Sequence, residues 1–295
     1  MDNKIIQNTD KKAEWTPIYN MYFLFEEKGI RPSSTLILEK LSERLGKIDL
    51  VSETNSKDSN SVFTILALQD HPVTFKEGKL PAQLLVADYN ETDILKNLTP
   101  LELSQQWDCP EYKDIIARTK YAVMISDFMA AGLENVERMN VLTEFVEAMI
   151  ELFPNCIGVY FEPCSMLLTP DAIRNNKQNG NHRGLNLFVN IRFFNVADTD
   201  EMLIDSYGLY KFGMPDIQYH FKELNPDNII KHCFNVVSYI FTGNVDIKDG
   251  ETIDGLKNGN LSQDVRWYCQ HEISMVQPER EVIDINTNEF AAGNR

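Results

Sequence analysis

The sequence predicts an α+β fold with mainly antiparallel sheets and helices packed on one face. Two observations support this class. Short apolar or alternating segments typical of β-strands follow one another along the chain, and turns marked by Gly, Pro and Asp separate them. Only a few segments carry apolar residues at helical spacing. Consecutive strands with few helices between them favour antiparallel pairing.

The first part of the chain is predicted to contain a strand, a helix and three more strands. An aromatic-rich run that begins at Tyr19 is typical of a strand. Ser33 or Ser34 can cap the helix that follows, and Gly46 lies where its left-handed C-terminal residue belongs. Residues 97–118 then form a predicted helical bridge. The three strands are predicted at Ile48–Glu53, Val62–Gln69 and Gln83–Ala87.

A second β-α-β passage follows the bridge. Lys120–Met129 is a strongly apolar strand, Asn135 caps a long amphipathic helix, and Cys156–Phe161 is a strand. Two such passages predict a duplicated, ferredoxin-like layout with halves at 17–118 and 119–295 that pack closely together. After them we predict a short helical turn at Pro170–Asn176 and a polar loop at 177–184, KQNGNHRG.

The last part is predicted to form further strands around one helix. The helix begins at Asn225, has Pro at its first position and ends at Gly243. Turns are expected at Lys248–Glu251 and Lys257–Asn260, which are rich in Gly, Asp and Asn. The strands are predicted at Leu185–Asn195, Met202–Tyr210, Ile217–Phe221, Val265–Met275 and Glu281–Ile285.

Charge and composition limit the function classes. The 295 residues include 28 Lys+Arg and 44 Asp+Glu, so the formal net charge is −16. Binding to nucleic acid through its phosphates needs clustered basic residues and is therefore not expected. The acidic residues are dispersed along the chain, which is typical of a solvated surface.

The sequence also predicts a cytoplasmic location. The N-terminus is polar and no apolar signal core follows it. No segment has the roughly 18 consecutive apolar residues of a membrane-spanning helix, so no membrane contact is expected. The five cysteines are odd in number and widely spaced, which is typical of reduced thiols.

Common catalytic signatures do not occur. The chain contains no G-x-G-x-x-G, G-x4-G-K-[ST] or G-x-S-x-G motif, so no cofactor is predicted. His271-Glu272 begins like a zinc-protease motif, but Met275 stands where the second His would be. The close pairs His232-Cys233 and Cys269-x-His271 are more typical of core residues than of a metal site, so no metal is predicted. Asp249-Gly250 is interpreted as a turn, because the ligand positions before a calcium-loop Gly are not filled.

A polar strand face is the most specific candidate site. Strand alternation places Asp216, Gln218 and His220 on one side of their strand. It likewise groups Arg266, Gln270 and Glu272 on a later strand. If the two strands are neighbours, these six side chains share one surface and form a candidate binding site. The alternative is the solvent face of a half-covered antiparallel sheet.

The last third of the chain resembles a known family. Gly208, the turn Phe212-Gly213-x-Pro215-Asp216, the turn Asp249-Gly250-Glu251-Thr252-Ile253 and the ending Pro278-x-Arg280-x-Val282 carry the resemblance. These features resemble an uncharacterised bacterial family, domain of unknown function 4261. The resemblance implies a cytoplasmic bacterial protein and brings no established activity or catalytic residue with it.

Two hypotheses of function follow. The first is a non-enzymatic protein-binding domain, an immunity or adaptor factor, whose acidity complements a basic partner. The second is a small-ligand enzyme or hydrolase that uses the polar face around Asp216, His220, Arg266 and Glu272. The lack of a nucleophile, metal or phosphate signature favours the first, so we do not expect an enzyme.

Overall fold

The structure is a computed structural model that describes residues 18–53, 63–76, 78–176 and 182–293. The described residues form two compact units, one up to Phe188 and one from Val189 onward. Each unit is built on one sheet. The predicted α+β class with antiparallel-dominated sheets is confirmed.

The first unit contains a seven-stranded sheet with strand order β2-β3-β4-β5-β1-β6-β7. Neighbouring strands pair antiparallel throughout. The strands are β1 (Asn20–Phe25), β2 (Ile48–Glu53), β3 (Phe63–Phe75), β4 (Gly78–Glu91), β5 (Tyr121–Phe128), β6 (Gly158–Phe161) and β7 (Met166–Leu168). The helices are α1 (Ser34–Leu45), α2 (Pro100–Ser104), α3 (Tyr112–Arg118), α4 (Asn135–Leu152), α5 (Pro170–Asn175) and α6 (Arg183–Phe188).

The predicted first helix is confirmed together with its caps. The Ser33 hydroxyl accepts a hydrogen bond from the Leu36 amide at 3.2 Å, which pairs one of the free amides of the first turn. Gly46 follows the helix with φ of +79°, a conformation that favours glycine. The apolar stripe of α1 is buried, and α1 packs against α4.

At β1 both faces of the first sheet are covered, whereas the sequence predicts helices on one face. Phe23 and Phe25 of β1 lie on one face and contact the ring of Phe153, which follows α4, at centroid distances of 6.0 and 5.6 Å. Leu24 points to the other face and packs in a buried cluster with Ile115 of α3. The reason lies in β1 itself, because its run of apolar residues leaves no polar face for solvent.

The second unit contains a six-stranded sheet with strand order β11-β12-β13-β10-β9-β8. The strands are β8 (Asn190–Asn195), β9 (Met202–Tyr207), β10 (Asp216–Phe221), β11 (Thr252–Lys257), β12 (Asn260–Ile273) and β13 (Glu281–Asn286), and the helix is α7 (Pro226–Gly243). All pairs are antiparallel except β10 with β13. Helix α7 packs against β8, β9 and β10 and covers one face with its apolar side.

The structure differs from the sequence predictions at residues 185–188 and 252–257. The predicted strand Leu185–Asn195 is a helix, α6, followed by the shorter strand β8. Helix α6 packs closely against α4, where a Cβ at Gly184 would lie 2.4 Å from Cγ of Met139. Strand β11 was not predicted, since its sequence TIDGLK is largely polar. The turn at Lys257–Asn260 is confirmed and joins β11 to β12.

The ferredoxin-like layout is not confirmed. The seven-stranded sheet contains strands from both sides of residue 118, and the boundary of the compact units falls between Phe188 and Val189. The predicted halves 17–118 and 119–295 stay a prediction. Part of the predicted polar loop 177–184 lies outside the described residues. Within the described ranges, no helix has both the length and the apolar character needed to cross a membrane.

The double-sided first sheet leads to a stability prediction. Ile115→Ala removes a buried side chain from the second face, and we expect unfolding free energy to fall by about 2–4 kcal/mol through lost burial and the cavity left behind. Ile116→Ala is the matched control, because Ile116 is only partly buried beside the same cluster. Urea unfolding of both variants provides the measurement. Equal losses would contradict a covered second face.

Candidate functional site

The structure places the six predicted site residues on two strands that do not touch. Strand β13 lies between β10 and β12. In the register of the sheet, Gln218 pairs with Asp284 and Asp284 with Gln270, so these three residues face the same side. The shared polar face therefore exists, but it runs through Asp284 of β13 rather than through direct pairing.

Burial separates the predicted residues into two groups. Asp216 and Gln218 are fully buried, and His220 is 6% exposed. In contrast, Gln270 is exposed and Glu272 is half-buried. Arg266, the sixth predicted residue, is exposed and forms an ion pair with Asp254 of β11. The three residues of β10 are thus enclosed by protein, whereas the three residues of β12 are at least partly exposed to solvent.

Asp216 is held by a dense set of donors. Its carboxylate accepts hydrogen bonds from the Ser206 hydroxyl at 2.9 Å and from the amides of Gly208 and Leu209 at 3.1 and 3.0 Å. Arg280 donates through Nε at 2.9 Å. Gly208 has φ of +150°, which favours glycine and lets the chain turn its amides toward the carboxylate.

Arg192 and Asp205 extend this contact into a four-residue network. Arg192 donates to Asp205 through Nε at 2.9 Å and Nη2 at 2.5 Å, a two-pronged pair. Arg280 reaches the same carboxylate through Nη2 at 2.6 Å. Both guanidinium groups lie over the ring of Tyr207, 4.5 and 4.9 Å from its centroid. We call Arg192, Asp205, Asp216 and Arg280 the buried charge network.

Burial and pairing oppose each other within this network. Burial raises the pKa of the Asp216 carboxyl, against the lowering effect of the Arg280 charge and the Ser206 hydrogen bond. Burial lowers the pKa of Arg280, but the charges of Asp216 and Asp205 raise it by more, so the guanidinium stays protonated. Two carboxylates and two guanidinium groups compensate each other in a site without solvent.

The buried charge network and Gln218 hold the loop 274–280 against the sheet. The Gln218 side chain accepts a hydrogen bond from the Met275 amide at 2.8 Å and donates to Asp284 at 2.9 Å. Arg192 donates to the Gln277 carbonyl oxygen at 3.0 Å. Arg280 donates to the Pro278 carbonyl oxygen, also at 3.0 Å. At the buried end of the predicted polar face, the side chains therefore form hydrogen bonds within the protein that hold this loop in place.

His220 holds the C-terminal end of the described chain. Its Nε2 lies 2.9 Å from the Glu201 carboxylate, and its carbonyl oxygen accepts a hydrogen bond from the Ala292 amide at 3.0 Å. A Cβ at Gly293 would meet the imidazole ring at 3.1 Å. The imidazole predicted as a site residue is thus enclosed by protein.

A cleft that the sequence did not predict lies between α7 and the β11–β12 hairpin. Its volume is about 340 Å³. Tyr239 of α7 and Leu261 of β12 line it, and they are 56% and 58% exposed. Asp254 and Arg266 add an ion pair to its wall. The sequence offered one weak signal, since Tyr239 is a large aromatic residue outside the apolar stripe of α7.

His232 connects this cleft with the core. Its Nε2 lies 2.8 Å from the Asp254 carbonyl oxygen, which can only accept, so Nε2 carries the proton. Nδ1 therefore accepts from the Tyr219 hydroxyl at 2.7 Å. Burial lowers the pKa of His232 and favours the neutral ring. Both nitrogens are engaged, so His232 positions β11 against α7.

Two other clefts lie in the first unit. One of about 370 Å³ is lined by Lys96 and Asp93, which form an ion pair. The other, of about 410 Å³, is lined by Arg44 and Glu144, whose side chains are paired at 2.7 Å. Intramolecular ion pairs occupy these charged groups in both clefts, and Tyr121, which lines the first cleft, is half-buried.

The five cysteines are all buried and unpaired with one another. Burial raises the pKa of Cys109, Cys156 and Cys269 to about 12, which disfavours the reactive thiolate. Across the ranges that the structure describes, no three His, Cys, Asp or Glu side chains are grouped so as to hold a metal ion.

The network and the cleft lie largely in the part of the chain that carries the family resemblance. Asp216 and Arg280 of the network belong to the motifs noted in the sequence. Residues 205–286 match the model of the family described as Domain of unknown function (DUF4261). The predicted resemblance is confirmed. No curated protein and no solved structure matches the chain. The DUF4261 segment contains part of β9 and all of β10, α7, β11, β12 and β13.

The buried charge network yields a prediction within the DUF4261 segment. Arg280→Met leaves the carboxylates of Asp205 and Asp216 without their shared cation, and we expect unfolding free energy to fall by about 3–5 kcal/mol. Arg266→Met is the matched control, because it breaks an exposed ion pair worth about 0–1 kcal/mol. Both values come from urea unfolding. A small loss for Arg280→Met would contradict the compensating role of this arginine.

His271 of β12 yields a pH prediction. Its Nε2 and Nδ1 each lie 2.7 Å from an acceptor, the Ile247 carbonyl and the Glu281 carboxylate. Burial lowers the pKa of His271, but these acceptors raise it by more, so the pKa lies above its ordinary value. The stability that follows from the charged ring is fully present below an unfolded-state pKa of about 6.5 and is lost as pH rises through the higher folded-state pKa.

Urea midpoints measured from acidic to alkaline pH test this linkage. We expect the difference between wild type and His271→Gln to be largest on the acidic side and to shrink as pH rises. A difference that is constant across pH, or that grows with pH, would show that the His271 ring is not charged in the folded protein.

Proposed function

We propose that the chain is a non-enzymatic protein-binding domain, an immunity or adaptor factor that works in the cytoplasm. The observation that carries the proposal is the cleft between α7 and the β11–β12 hairpin. It combines an exposed aromatic side chain, Tyr239, an exposed aliphatic one, Leu261, and a charged pair at its wall. Protein interfaces draw most of their binding energy from such aromatic and apolar anchors ringed by polar groups.

The charge of the chain supports a basic partner. The net charge is −16, so approach of a cationic surface is favoured over long distances and is weakened by salt. The five buried thiols fit a reducing compartment. A hydrolase acting through the polar face has less support, because Asp216 and Gln218 are fully buried and their side chains are bound within the protein.

Peptide selection tests the proposal directly. Random peptides displayed on phage are selected on the immobilised full chain, and enriched peptides are synthesised and titrated by fluorescence anisotropy. We expect Tyr239→Ala to weaken the enriched peptides about tenfold or more, since truncating an interface anchor typically costs at least 1–2 kcal/mol.

Tyr268→Ala is the matched control for this experiment. Tyr268 is 59% exposed on β12 and does not line the cleft, so its truncation leaves peptide affinity unchanged if the cleft is the binding surface. Two results would contradict the proposal: no enrichment of any peptide, or equal effects of the two tyrosine substitutions.

A further inference from the structure

We infer that the partner places a Lys or Arg cation against Asp254, in exchange for Arg266, beside an apolar side chain that contacts Tyr239 and Leu261. The inference rests on the proposed function and specifies the chemistry of the partner at the same cleft. Four observations support it.

The first is that the ion pair at the cleft wall is exposed. The side chain of Arg266 is 54% exposed and that of Asp254 is 28% exposed. Exposed pairs of this kind contribute about 0–1 kcal/mol, because water solvates the separated charges well. Exchange of one cation for another at Asp254 therefore costs little.

The second is that the two members of the pair are not equally fixed. The Asp254 backbone is held in the β11–β12 ladder, and its carbonyl oxygen accepts the hydrogen bond from His232 at 2.8 Å. The carboxylate is attached to this backbone through a short side chain. Arg266 carries its charge at the end of a long flexible side chain. The anion is the stationary member and the cation is the one that can leave.

The third is the charge of the surrounding segment. Residues 226–266, which contain α7 and most of the hairpin, carry six Asp or Glu and four Lys or Arg. The net negative charge favours an incoming cation over an incoming carboxylate.

The fourth is that neighbouring lysines have their own partners. Lys257 pairs with Asp264 at 3.0 Å, and Lys248 pairs with Asp246. Arg266 is thus the cation that competes at Asp254, and removing it leaves the carboxylate open to a ligand.

This asymmetry gives two substitutions with opposite effects. The probe is a peptide enriched on the wild-type chain, compared with analogues in which each Lys or Arg is replaced by norleucine or Glu. We expect Asp254→Asn to weaken the peptide about fivefold and Arg266→Ala to tighten it about two- to fivefold, the change that corresponds to an exposed competing pair. The norleucine analogue should respond to neither substitution.

The second ion pair of the hairpin supplies matched controls. Asp264→Asn and Lys257→Ala change charge by the same amounts on the same hairpin, but these residues do not line the cleft. We expect both to alter affinity less than the cleft substitutions. Equal effects of the two pairs would show that only the overall charge matters, and the inference would fail.

The outcomes separate the inference from the proposed function. If Tyr239→Ala weakens the peptide and Arg266→Ala weakens it as well, the cleft binds a partner through an anion, so the function stands and the inference is wrong. If neither member of the Asp254–Arg266 pair affects affinity, the inference is also wrong. If Tyr239→Ala has no effect, the proposed function fails and the inference fails with it.

Discussion

The second sheet depends on one constraint, the mutual compensation of four buried charges. Arg192, Asp205, Asp216 and Arg280 come from strands β8, β9 and β10 and from the loop before β13. A carboxylate buried without a partner costs several kcal/mol, so each member is tolerated only when the others are in place. The network therefore requires three consecutive strands and the distant loop before β13 to come together in one arrangement.

This constraint also explains why the side chains at the buried end of the polar face are bound within the protein. The groups that a catalyst would use, such as Asp216 and Gln218, already bind donors and acceptors within the fold. Releasing any one of them leaves its partner unsatisfied in a dry environment. The same residues that look like a site in the sequence act as fasteners of the 274–280 loop. Side chains that remain accessible to a ligand line the cleft between α7 and the β11–β12 hairpin.

Local patterns made much of the fold predictable. The caps and apolar stripes of α1 and α7 are signals that lie within one element, and the structure contains both helices. Strand alternation also placed Asp216, Gln218 and His220 on a common side. Alternation determines which way a side chain points, but not whether another segment covers it, so the burial of these residues could not be predicted.

Long-range pairing was the part that local patterns missed. The parallel contact between β10 and β13 joins residues more than sixty positions apart, as in the pair Asp216 and Val282. The sequence motif Pro278-x-Arg280-x-Val282 contains Arg280, but its ion pairs with Asp205 and Asp216 form only when β10 and β13 are neighbours. The cleft has the same origin, because Tyr239 and Leu261 line one cleft only when the hairpin is held against α7 through His232.

Buried side chains determine the position of the Asp254 backbone at the wall of the cleft. The Asp254 carbonyl oxygen can only accept, so the proton of the neutral His232 ring is on Nε2, and Nδ1 accepts a hydrogen bond from the Tyr219 hydroxyl. Trp267 packs against the His232 ring at a centroid distance of 4.8 Å and limits its rotation. The Asp254 carbonyl therefore determines the tautomer of His232, the Tyr219 hydroxyl holds the other ring nitrogen, and the histidine anchors the backbone that carries the Asp254 carboxylate. Because that backbone is held from inside, the carboxylate stays in one position opposite Arg266, as the proposed exchange of cations requires.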